Sequence, residues 1–459
     1  MTAHLRDGMR LPARFTILGA ARSGLAAARY LVQHGYSVFI SDTCDPQKLD
    51  FVLAGNDLAH IPHEGGEHTE QVLDTDVIIA SPGIARGTEI LSLARRRGIP
   101  VWSEIELGYR ISTASLWAVT GSTGKSTTAT MAGAIAREAG LHSEVCGNIG
   151  VALSAVAWQL PPTGVAVVEV SSFQLEAIDT FRPRIALITN LMKNHLDRHR
   201  NEHEYWNLKK GIARRMDSTD HLVLNATDPH LREWGREQAS RVGVVWYGAT
   251  IEGEPCVWCR DGVMVSTIHC PQGEEILAVS EMMVEGRHNH ENACGAAAMG
   301  ICAGIGIGSV AAGLRSVQGL PHRLAFVGKK RGVRWYNDSK STTAESVLAA
   351  AGAFDRAVRL IAGGRDKGCD FGAIARQLGE NAVEVLLIGE AAPRMAAAWK
   401  KHVPVVRCRS LDEAVQYAAR VSQEGDIVVL SPGCSSFDMF SGYEERGERF
   451  AGLVAALAD

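Results

Sequence analysis

The sequence predicts an α/β fold of three domains, each built around a mainly parallel sheet. Strand-like apolar runs alternate with helical patterns along almost the whole chain, which is typical of βα units. At roughly 150 residues per domain, a chain of 459 residues corresponds to about three domains. We place the domains at 1–114, 115–319 and 320–459, and expect the first and third to be Rossmann-like.

The first domain opens with a strand–turn–helix–strand pattern, "RFTILGAARSGLAAARYLVQHGYSVFISDTCD". A strand at Phe15–Leu18 meets a glycine turn, and a second strand ends at Asp42, whose carboxylate can accept hydrogen bonds from a ribose or a uracil. Gly19 and Gly24 fit the dinucleotide pattern, but Ala21 stands where its middle glycine belongs. The pattern favours a nucleotide-containing ligand over NAD, and a turn that binds nothing is the alternative.

The second domain begins with a predicted phosphate-binding loop. The buried strand "SLWAV" runs into "TGSTGKST", a GxxGK[ST] motif followed by a strongly helical segment. Val119 replaces the outer glycine of the usual motif, which alters the entry to the loop but not the cradle of backbone N–H groups. Lys125 is expected at the β- and γ-phosphates and Ser126 at Mg²⁺. The central domain is therefore predicted to be of the P-loop ATPase type, with a plain glycine turn as the alternative.

Polar residues near the ends of neighbouring strands are candidates for a metal site. Glu169 lies in the apolar run "VAVVEV", where an ionised carboxylate is unfavourable unless it is paired or bound to a metal. His195 lies five residues beyond the strand that ends at Asn190. Lys209 follows on a predicted helix, and by itself it is expected to be a solvated lysine.

Further along the chain, segment 251–284 is rich in turns and β-branched residues and predicts a small antiparallel insertion. The third domain has parallel-type strands at "RAVRLIAGG", "VEVLLIGE" and "DIVVLSPG". Cys256, Cys259, His269 and Cys270 have the ligand types of a zinc site, and a hairpin with incidental thiols is the alternative.

Composition and charge limit the classes of partner. The net charge of −4 gives no reason to expect nucleic acid or a membrane surface as a partner, and the N-terminal segment lacks the apolar core of a signal peptide. The ten cysteines show no disulfide-like framework, which suits a reducing compartment. We therefore expect a cytoplasmic, monomeric protein that acts on small molecules.

Taken together, these stretches resemble the Mur ligase family of ATP-dependent amino-acid ligases. The similarity covers nearly the whole chain and rests on motifs in the family's order: "TGSTGKST", "CGNIG", "VEVSSFQLE", "NHLDRH", "GRHNHENA", "GLPHR", "NDSKSTT", "GGRDKG" and "LSPGCSSFDMF…ERG". Two of them, "SSFQLE" and "SPGCSSFD", are specific to the glutamate-adding branch of the family.

The resemblance implies a ligase that adds glutamate, expected to be the D-enantiomer, to UDP-N-acetylmuramoyl-L-alanine in peptidoglycan precursor synthesis. ATP would phosphorylate the acceptor carboxylate, and the glutamate amine would then attack the acyl phosphate. The resemblance also implies two Mg²⁺ ions and carbamylation of Lys209 by CO₂, which converts a cation into an anion and replaces the expectation of a solvated lysine.

The resemblance assigns roles to individual positions. Catalytic roles fall to Lys125, Lys209, His195 and Lys340. ATP binding falls to Gly121, Ser122, Thr123, Gly124, Lys125, Ser126, Thr127, Asn292, Asn337 and Asp338. The UDP-substrate is assigned to Ala21, Arg22, Ser23, Asp42, Thr43, Ser81, Pro82, Gly83, Asn148, Ser171 and Gln174. Glutamate is assigned to Thr342, Lys367, Ser436 and Tyr443, and Mg²⁺ to Ser126, Glu169, His195 and carbamylated Lys209.

Four positions depart from the family pattern: Thr123 replaces Asn, Asn194 replaces Asp, Ala325 replaces Glu and Tyr443 replaces Phe. They remove none of the implied metal ligands, but they leave L-glutamate open as the substrate. The other readings are a ligase for a later peptide position or a folylpolyglutamate synthase, a nicotinamide dehydrogenase, and a nucleotide sensor without catalysis.

Overall fold

The computed structural model describes residues 5–192, 198–284, 286–319, 321–354, 356–366 and 368–458. The described chain forms two compact units. The first comprises Met1–Glu281 with Glu291–Leu314, and the second comprises Met282–His290 with Arg315–Asp459. The described residues form three sheets, and the predicted α/β class with mainly parallel sheets is confirmed. In the described part of the chain, no helix combines the length and apolar character that a membrane span needs.

The first sheet has five parallel strands in the order β3-β2-β1-β4-β5, a Rossmann-like arrangement. Its strands are β1 (Arg14–Leu18), β2 (Ser37–Asp42), β3 (His63–Gly65), β4 (Val77–Ala80) and β5 (Val101–Trp102). The helices around it are α1 (Arg22–Gln33), α2 (Pro46–Ala54), α3 (Glu89–Arg96) and α4 (Glu104–Arg110). Helix α1 approaches the turn closely because Gly24 has no Cβ, which would collide with the carbonyl of Gly19.

The second sheet has nine strands in the order β14-β13-β12-β11-β10-β9-β6-β8-β7. They are β6 (Ser115–Thr120), β7 (Ser143–Gly147), β8 (Val165–Glu169), β9 (Ile185–Ile188), β10 (His221–Asn225), β11 (Gly243–Tyr247), β12 (Cys256–Arg260), β13 (Val263–Ser266) and β14 (Glu274–Ala278). The predicted antiparallel segment is present as β12–β14, and β12 pairs in parallel with β11, so the segment extends the sheet.

Seven helices accompany the second sheet or follow it along the chain. They are α5 (Lys125–Glu138), α6 (Leu153–Val156), α7 (Ser172–Leu175), α8 (Glu202–Lys210), α9 (Pro229–Gln238), α10 (Arg287–Cys302) and α11 (Ile307–Ser316). Strands β6, β8 and β9 are almost wholly buried, because helices cover both faces of a parallel sheet. One continuous apolar core joins the first two sheets.

The second unit contains a six-stranded sheet in the order β15-β16-β20-β17-β18-β19, in which β15 is the antiparallel edge strand. Its strands are β15 (Ala325–Lys330), β16 (Val333–Asn337), β17 (Val358–Gly363), β18 (Ala382–Ile388), β19 (Val405–Arg407) and β20 (Ile427–Leu430). Its helices are α12 (Ala344–Ala351), α13 (Ala375–Asn381), α14 (Ala392–Trp399), α15 (Leu411–Val421) and α16 (Tyr443–Ala455). Separate apolar clusters pack against the two faces of this sheet.

Candidate active site

The predicted phosphate loop lies at the carboxyl edge of the central sheet. Strand β6 ends at Thr120, and α5 begins at Lys125. Strand β6 lies between β8 and β9, and Val119 is paired with Glu169. The loop and the predicted metal ligand therefore share one edge of the sheet, which is where open parallel sheets bind ligands.

Two glycines give the loop its tight path. Gly121 has φ +141° and Gly124 has φ +79°, a region of backbone space that other residues rarely adopt. A Cβ at Gly121 would collide with the hydroxyl of Thr189, and one at Gly124 would collide with the side-chain oxygen of Asn292. Asn292 of α10 thus lies against the loop.

The side chain of Lys125 folds back onto the phosphate loop. Its Nζ donates hydrogen bonds to the carbonyl oxygens of Gly121 at 2.9 Å and Ser122 at 3.0 Å. Ser126 is buried, and Thr127 is half-buried in the first turn of α5. The helix N-terminus adds a positive electrostatic potential, so the loop combines backbone donors with a lysine.

Asn190, which the sequence reasoning did not select, holds the loop from the neighbouring strand. Its Oδ1 accepts hydrogen bonds from the backbone N–H groups of Ser122 at 3.2 Å and Thr123 at 3.0 Å. Its Nδ2 donates to the hydroxyl of Thr123 at 3.0 Å. An asparagine directly after the strand beside the phosphate-loop strand was the available signal.

Glu169 fits the predicted role of a metal ligand. The residue is 1% exposed, and its Oε1 accepts a hydrogen bond from Nδ2 of Asn148 at 2.7 Å. Among the described residues, its Oε2 has no hydrogen-bond partner. A buried carboxylate oxygen without a partner is unfavourable, and a hard cation such as Mg²⁺ would satisfy it. His195 and Asn194 lie outside the described residues.

Lys209 is buried in α8 and points at the phosphate loop. It is 1% exposed, its Nζ donates a hydrogen bond to the carbonyl of Gly121 at 2.7 Å, and it lies 4.5 Å from the ring centroid of Tyr205. The pKa of Lys209 is lowered to about 6, first by burial and second by the positive charge of Lys125, while the charge of Glu169 acts in the opposite direction. The expectation of a solvated lysine is therefore wrong, and the amine is mostly neutral at pH 7.

In the first domain, the side chain of Asp42 organises the glycine turn. Its carboxylate accepts hydrogen bonds from the N–H groups of Ala20 at 2.6 Å and Cys44 at 2.8 Å. Burial acts to raise the pKa of Asp42, but these hydrogen bonds outweigh it and lower the pKa below its usual value. Ser81 donates to the carbonyl of Gly19 at 2.9 Å, so the two predicted UDP loops are in contact.

The other residues assigned to the UDP-substrate differ in their exposure and in their contacts. Ala21, Arg22, Thr43 and Gly83 are exposed, Pro82 is half-buried, and Ser23 is buried. The guanidinium of Arg22 donates to the carbonyls of Gly150 at 2.7 Å and Asn148 at 3.0 Å, which joins the first domain to the loop after β7. Ser171 and Gln174 form a reciprocal cap at the start of α7, so in this structure they bind each other.

In the second unit, the assigned residues follow β16 and its neighbour β20. Asn337 is the last residue of β16, and its Oδ1 accepts a hydrogen bond from the N–H of Ser339 at 3.0 Å. The carboxylate of Asp338 accepts hydrogen bonds from the hydroxyls of Ser341 and Ser431, the latter at 2.8 Å. Burial nevertheless raises the pKa of Asp338 to about 6.

Lys340 and Tyr443 lie together at the same edge. Nζ of Lys340 is 5.0 Å from the ring centroid of Tyr443, and burial raises the pKa of the Tyr443 phenol to about 12. Ser436 is buried and Thr342 is half-buried, whereas Lys367 lies outside the described residues.

Arg446, which was not selected from the sequence, supports this edge. It is fully buried and donates to the hydroxyl of Ser339 at 3.0 Å and to its carbonyl at 2.8 Å. Burial lowers the pKa of its guanidinium to about 10. Its contacts fix the backbone between Asp338 and Lys340, and its place in the quoted motif "ERG" was the available signal.

The zinc alternative has no support in the described part of the chain. No group of three or more histidine, cysteine or acidic side chains is placed there to hold a metal. Cys256 and Cys259 are three positions apart on β12, so they face opposite sides of the sheet. Because this CxxC pair lies on a strand, its two thiols are on opposite faces of the sheet.

Three stretches of the chain match known family domains. Residues 13–103 match the MurD-like N-terminal domain of Mur ligases, residues 119–300 the Mur ligase middle domain, and residues 322–434 the glutamate ligase domain of Mur ligases. A curated protein of Pelotomaculum thermopropionicum is 37% identical over 450 residues, which cover 96% of this chain and 97% of that protein. The chain belongs to the Mur ligase family. This Mur ligase is accordingly an ATP-dependent enzyme that forms amide bonds, and the family generally uses Mg²⁺.

The relatives carry specific names. The Pelotomaculum protein and one from Salinibacter ruber, 37% identical over 453 residues with 97% of this chain and 98% of that protein covered, are both named UDP-N-acetylmuramoylalanine–D-glutamate ligase. Solved structures share the fold at lower identity. UDP-N-acetylmuramate-alanine ligase MurC from Thermotoga maritima aligns with a TM-score of 0.59 at 16% identity, covering 99% of this chain and 100% of that chain. A pseudomurein peptide ligase type C from Methanothermus fervidus aligns with a TM-score of 0.58 at 17% identity, covering 96% and 99%.

Proposed function

We propose that this Mur ligase adds D-glutamate to UDP-N-acetylmuramoyl-L-alanine, as a monomer in the cytoplasm. The observation that carries the proposal is the convergence of three groups on the phosphate loop. Lys125 and Lys209 both donate to the carbonyl of Gly121, and Glu169 lies on the adjacent strand with one buried oxygen that has no hydrogen-bond partner among the described residues. The names of the full-length relatives support the substrates.

The reaction needs an activated carboxylate, because an oxide ion is a poor leaving group. The terminal phosphoryl group of ATP is transferred to the alanine carboxylate: an O–P bond forms, and the bond to the ADP oxygen breaks. The glutamate amine then attacks the acyl carbon, phosphate leaves, and the amine loses a proton. Lys125 and the backbone N–H groups of the loop hold and neutralise the phosphates, so positioning and charge neutralisation dominate catalysis.

Two Mg²⁺ ions complete the proposed site. Ser126, Glu169 and His195 would hold them, and the ions would supply electrostatic stabilisation of the transferring phosphoryl group. The buried Oε2 of Glu169, which finds no hydrogen-bond partner in the part of the chain that the structure describes, is the structural reason to expect a cation there.

Lys209 is proposed to support these ions as a carbamate. Its amine is buried and its pKa is lowered to about 6, so the nitrogen lone pair is available at neutral pH. The lone pair attacks CO₂, an N–C bond forms, and the nitrogen releases a proton. The product is an anion beside Lys125, which removes the repulsion between two neighbouring lysines.

The substrates are assigned to different groups of residues. Asp42, Thr43, Ala21–Ser23 and Ser81–Gly83 would receive the UDP part, and Asn148, Ser171 and Gln174 the muramoyl-alanine part. Asn292, Asn337 and Asp338 would contact ATP, and Lys340 the reacting groups. Thr342, Lys367, Ser436 and Tyr443 would hold glutamate; lysine and hydroxyl donors suit an amino acid with two carboxylates.

The test is ADP release from purified protein with ATP, Mg²⁺, UDP-N-acetylmuramoyl-L-alanine and each glutamate enantiomer in turn. We expect release with D-glutamate and a product whose mass equals the acceptor plus glutamate minus water. Reactions without acceptor, or with a pteroate acceptor, are the controls. Activity with L-glutamate alone, or with pteroate in place of the UDP-sugar, would contradict the proposal.

A further inference from the structure

Two thiols from different elements of the central domain lie in contact. Sγ of Cys259 on β12 is 3.6 Å from Sγ of Cys294 on α10. Cys259 is exposed, whereas Cys294 is 1% exposed. The two residues are 35 positions apart in the chain, so the fold and not the local sequence brings them together.

We propose that Cys259 and Cys294 are an oxidation site, at which hydrogen peroxide or an organic hydroperoxide forms a reversible disulfide. A disulfide requires a sulfur–sulfur distance of about 2.05 Å, so the sulfurs must approach by roughly 1.5 Å. A displacement of this size is within reach of side-chain rotation and a small shift of α10. The proposal rests on the contact between these two thiols, one of which is open to solvent while the other is enclosed.

The exposure of the two residues assigns the chemical steps. The Cys259 thiolate attacks a peroxide oxygen: an S–O bond forms, the O–O bond breaks, and water (or an alcohol) leaves after protonation. The sulfur of Cys294 then attacks the sulfur of the sulfenic acid, the S–S bond forms, and the S–O bond breaks with loss of water. In total, two thiols lose two hydrogen atoms, and the peroxide is reduced to two molecules of water or to water and an alcohol.

The acidities of the two thiols agree with this order. The hydrogen bond between them lowers the pKa of Cys259 and raises that of Cys294 well above its usual range, with burial as a further cause for Cys294. The thiolate is the reactive form, and solvent reaches Cys259. Cys259 therefore reacts first, and Cys294 resolves the sulfenic acid.

The other cysteines of this segment are not placed to compete. Cys256 is buried on the opposite face of β12, and its sulfur contacts backbone groups of Ile251 and Glu254. Cys270 is partly exposed, and its thiol donates to Oε1 of Gln272 at 3.6 Å. Cys270 is thus a natural control for a thiol without a neighbouring thiol.

The disulfide has a direct route to nucleotide binding. Cys294 lies two residues after Asn292 on α10, and Asn292 lies against Gly124 of the phosphate loop. A covalent link to β12 would fix this part of α10 to the antiparallel edge of the sheet. We expect the KM for ATP to rise at least several-fold on oxidation and to recover on reduction.

The experiment uses the full-length protein and hydrogen peroxide, followed by alkylation, digestion and mass spectrometry. We expect a peptide pair joined through Cys259 and Cys294, lighter by two hydrogen atoms and separated by dithiothreitol. Cys270→Ser should leave this product and the rise in KM unchanged. Cys259→Ser should abolish both, and Cys294→Ser should leave a sulfenic acid on Cys259 that dimedone traps.

Two results would overturn the proposal. The first is oxidation of Cys259 to sulfinic acid in the unsubstituted protein without any link to Cys294. The second is a link from either residue to another cysteine. If the link forms but the KM for ATP of the oxidised enzyme matches that of the reduced enzyme, the coupling to the phosphate loop is refuted. Circular dichroism of the serine variants distinguishes loss of the thiol from loss of the fold.

Discussion

Replacement of Lys209 by alanine tests the most unusual group of the site. At a pKa of about 6, the amine is roughly 97% neutral at pH 7.5, whereas an ordinary lysine is only about 0.1% neutral. Burial therefore raises the population able to react with CO₂ by about a thousandfold. If the resulting carbamate supports the metal ligands, Lys209→Ala should lower kcat by about 100-fold or more. Acetate or formate should restore part of the rate, because each supplies a carboxylate to the space that the side chain leaves.

The assay is ADP release at saturating Mg²⁺, with and without added carboxylate. Lys210→Ala is the matched control, since Lys210 is the next residue of α8 and its Nζ lies 5.6 Å from the ring centroid of Trp234. This variant should keep nearly full activity and respond little to acetate. In parallel, ¹³C-labelled bicarbonate should give a carbamate resonance in the unsubstituted protein that Lys209→Ala lacks. Full activity of Lys209→Ala, or no carbamate resonance in the active enzyme, would refute the reasoning.

Three further predictions concern the loop, the metal and the second unit. Gly124→Ala should weaken ATP binding, measured by calorimetry, at least 10-fold. Gly140→Ala is the control, because Gly140 has a similar φ of +77° but lies in open space, and this variant should bind ATP normally. Equal binding by both variants would contradict the role of the close packing between Gly124 and Asn292. Glu169→Gln should raise the Mg²⁺ concentration for half-maximal activity at least 10-fold, and it should not lower the melting temperature in EDTA, because the amide carries no charge to bury. Glu144→Gln, on the exposed side of β7, is the control. Unchanged Mg²⁺ dependence in Glu169→Gln would exclude Glu169 as a ligand. Burial raises the pKa of Asp338 to about 6, so between about pH 4 and 6 the folded state keeps a proton that the unfolded state releases. The protonated carboxyl therefore stabilises the fold below this pH window. As the pH rises through the window, the free energy of unfolding should fall by up to about 3 kcal/mol. Asp338→Asn should remove this dependence in urea unfolding at pH 4.5 and 6.5, and an identical pH dependence in the variant would show that the carboxyl has an ordinary pKa.

The fold was predictable because its signals are local. The runs at β6, β8 and β9 are apolar on both faces, and each is followed by a glycine or polar turn, so the parallel sheet could be read from a few residues at a time. The antiparallel character of β12–β14 was likewise visible in turns and β-branched residues. The continuity of those strands with the central sheet was not visible, because it depends on the pairing of β11 with β12.

The candidate site was predictable where a residue type is unfavourable in its local sequence environment unless a ligand is bound. Glu169 is a carboxylate at the end of a buried strand, and the structure leaves one of its oxygens without a hydrogen bond within the described chain. Lys125 and the glycines stand in a pattern that only a tight turn before a helix requires. In both cases the local sequence is unfavourable without a ligand, and that conflict is the signal.

The rest of the site depends on partners that are distant in the chain, so no local pattern encodes it. Asn190 is an ordinary loop asparagine until the fold places it against amide groups 67 and 68 positions earlier. Lys209 lies in a polar stretch of sequence, and its burial arises only when α8 packs against a carbonyl 88 positions away. That carbonyl belongs to Gly121, to which Lys125 also donates a hydrogen bond. Two ammonium groups at one oxygen would repel each other, and the pKa of Lys209 is lowered first by its burial and second by the positive charge of Lys125. The reactive amine is therefore a property of the assembled domain, whereas the phosphate loop beside it is a property of the eight consecutive residues 120–127.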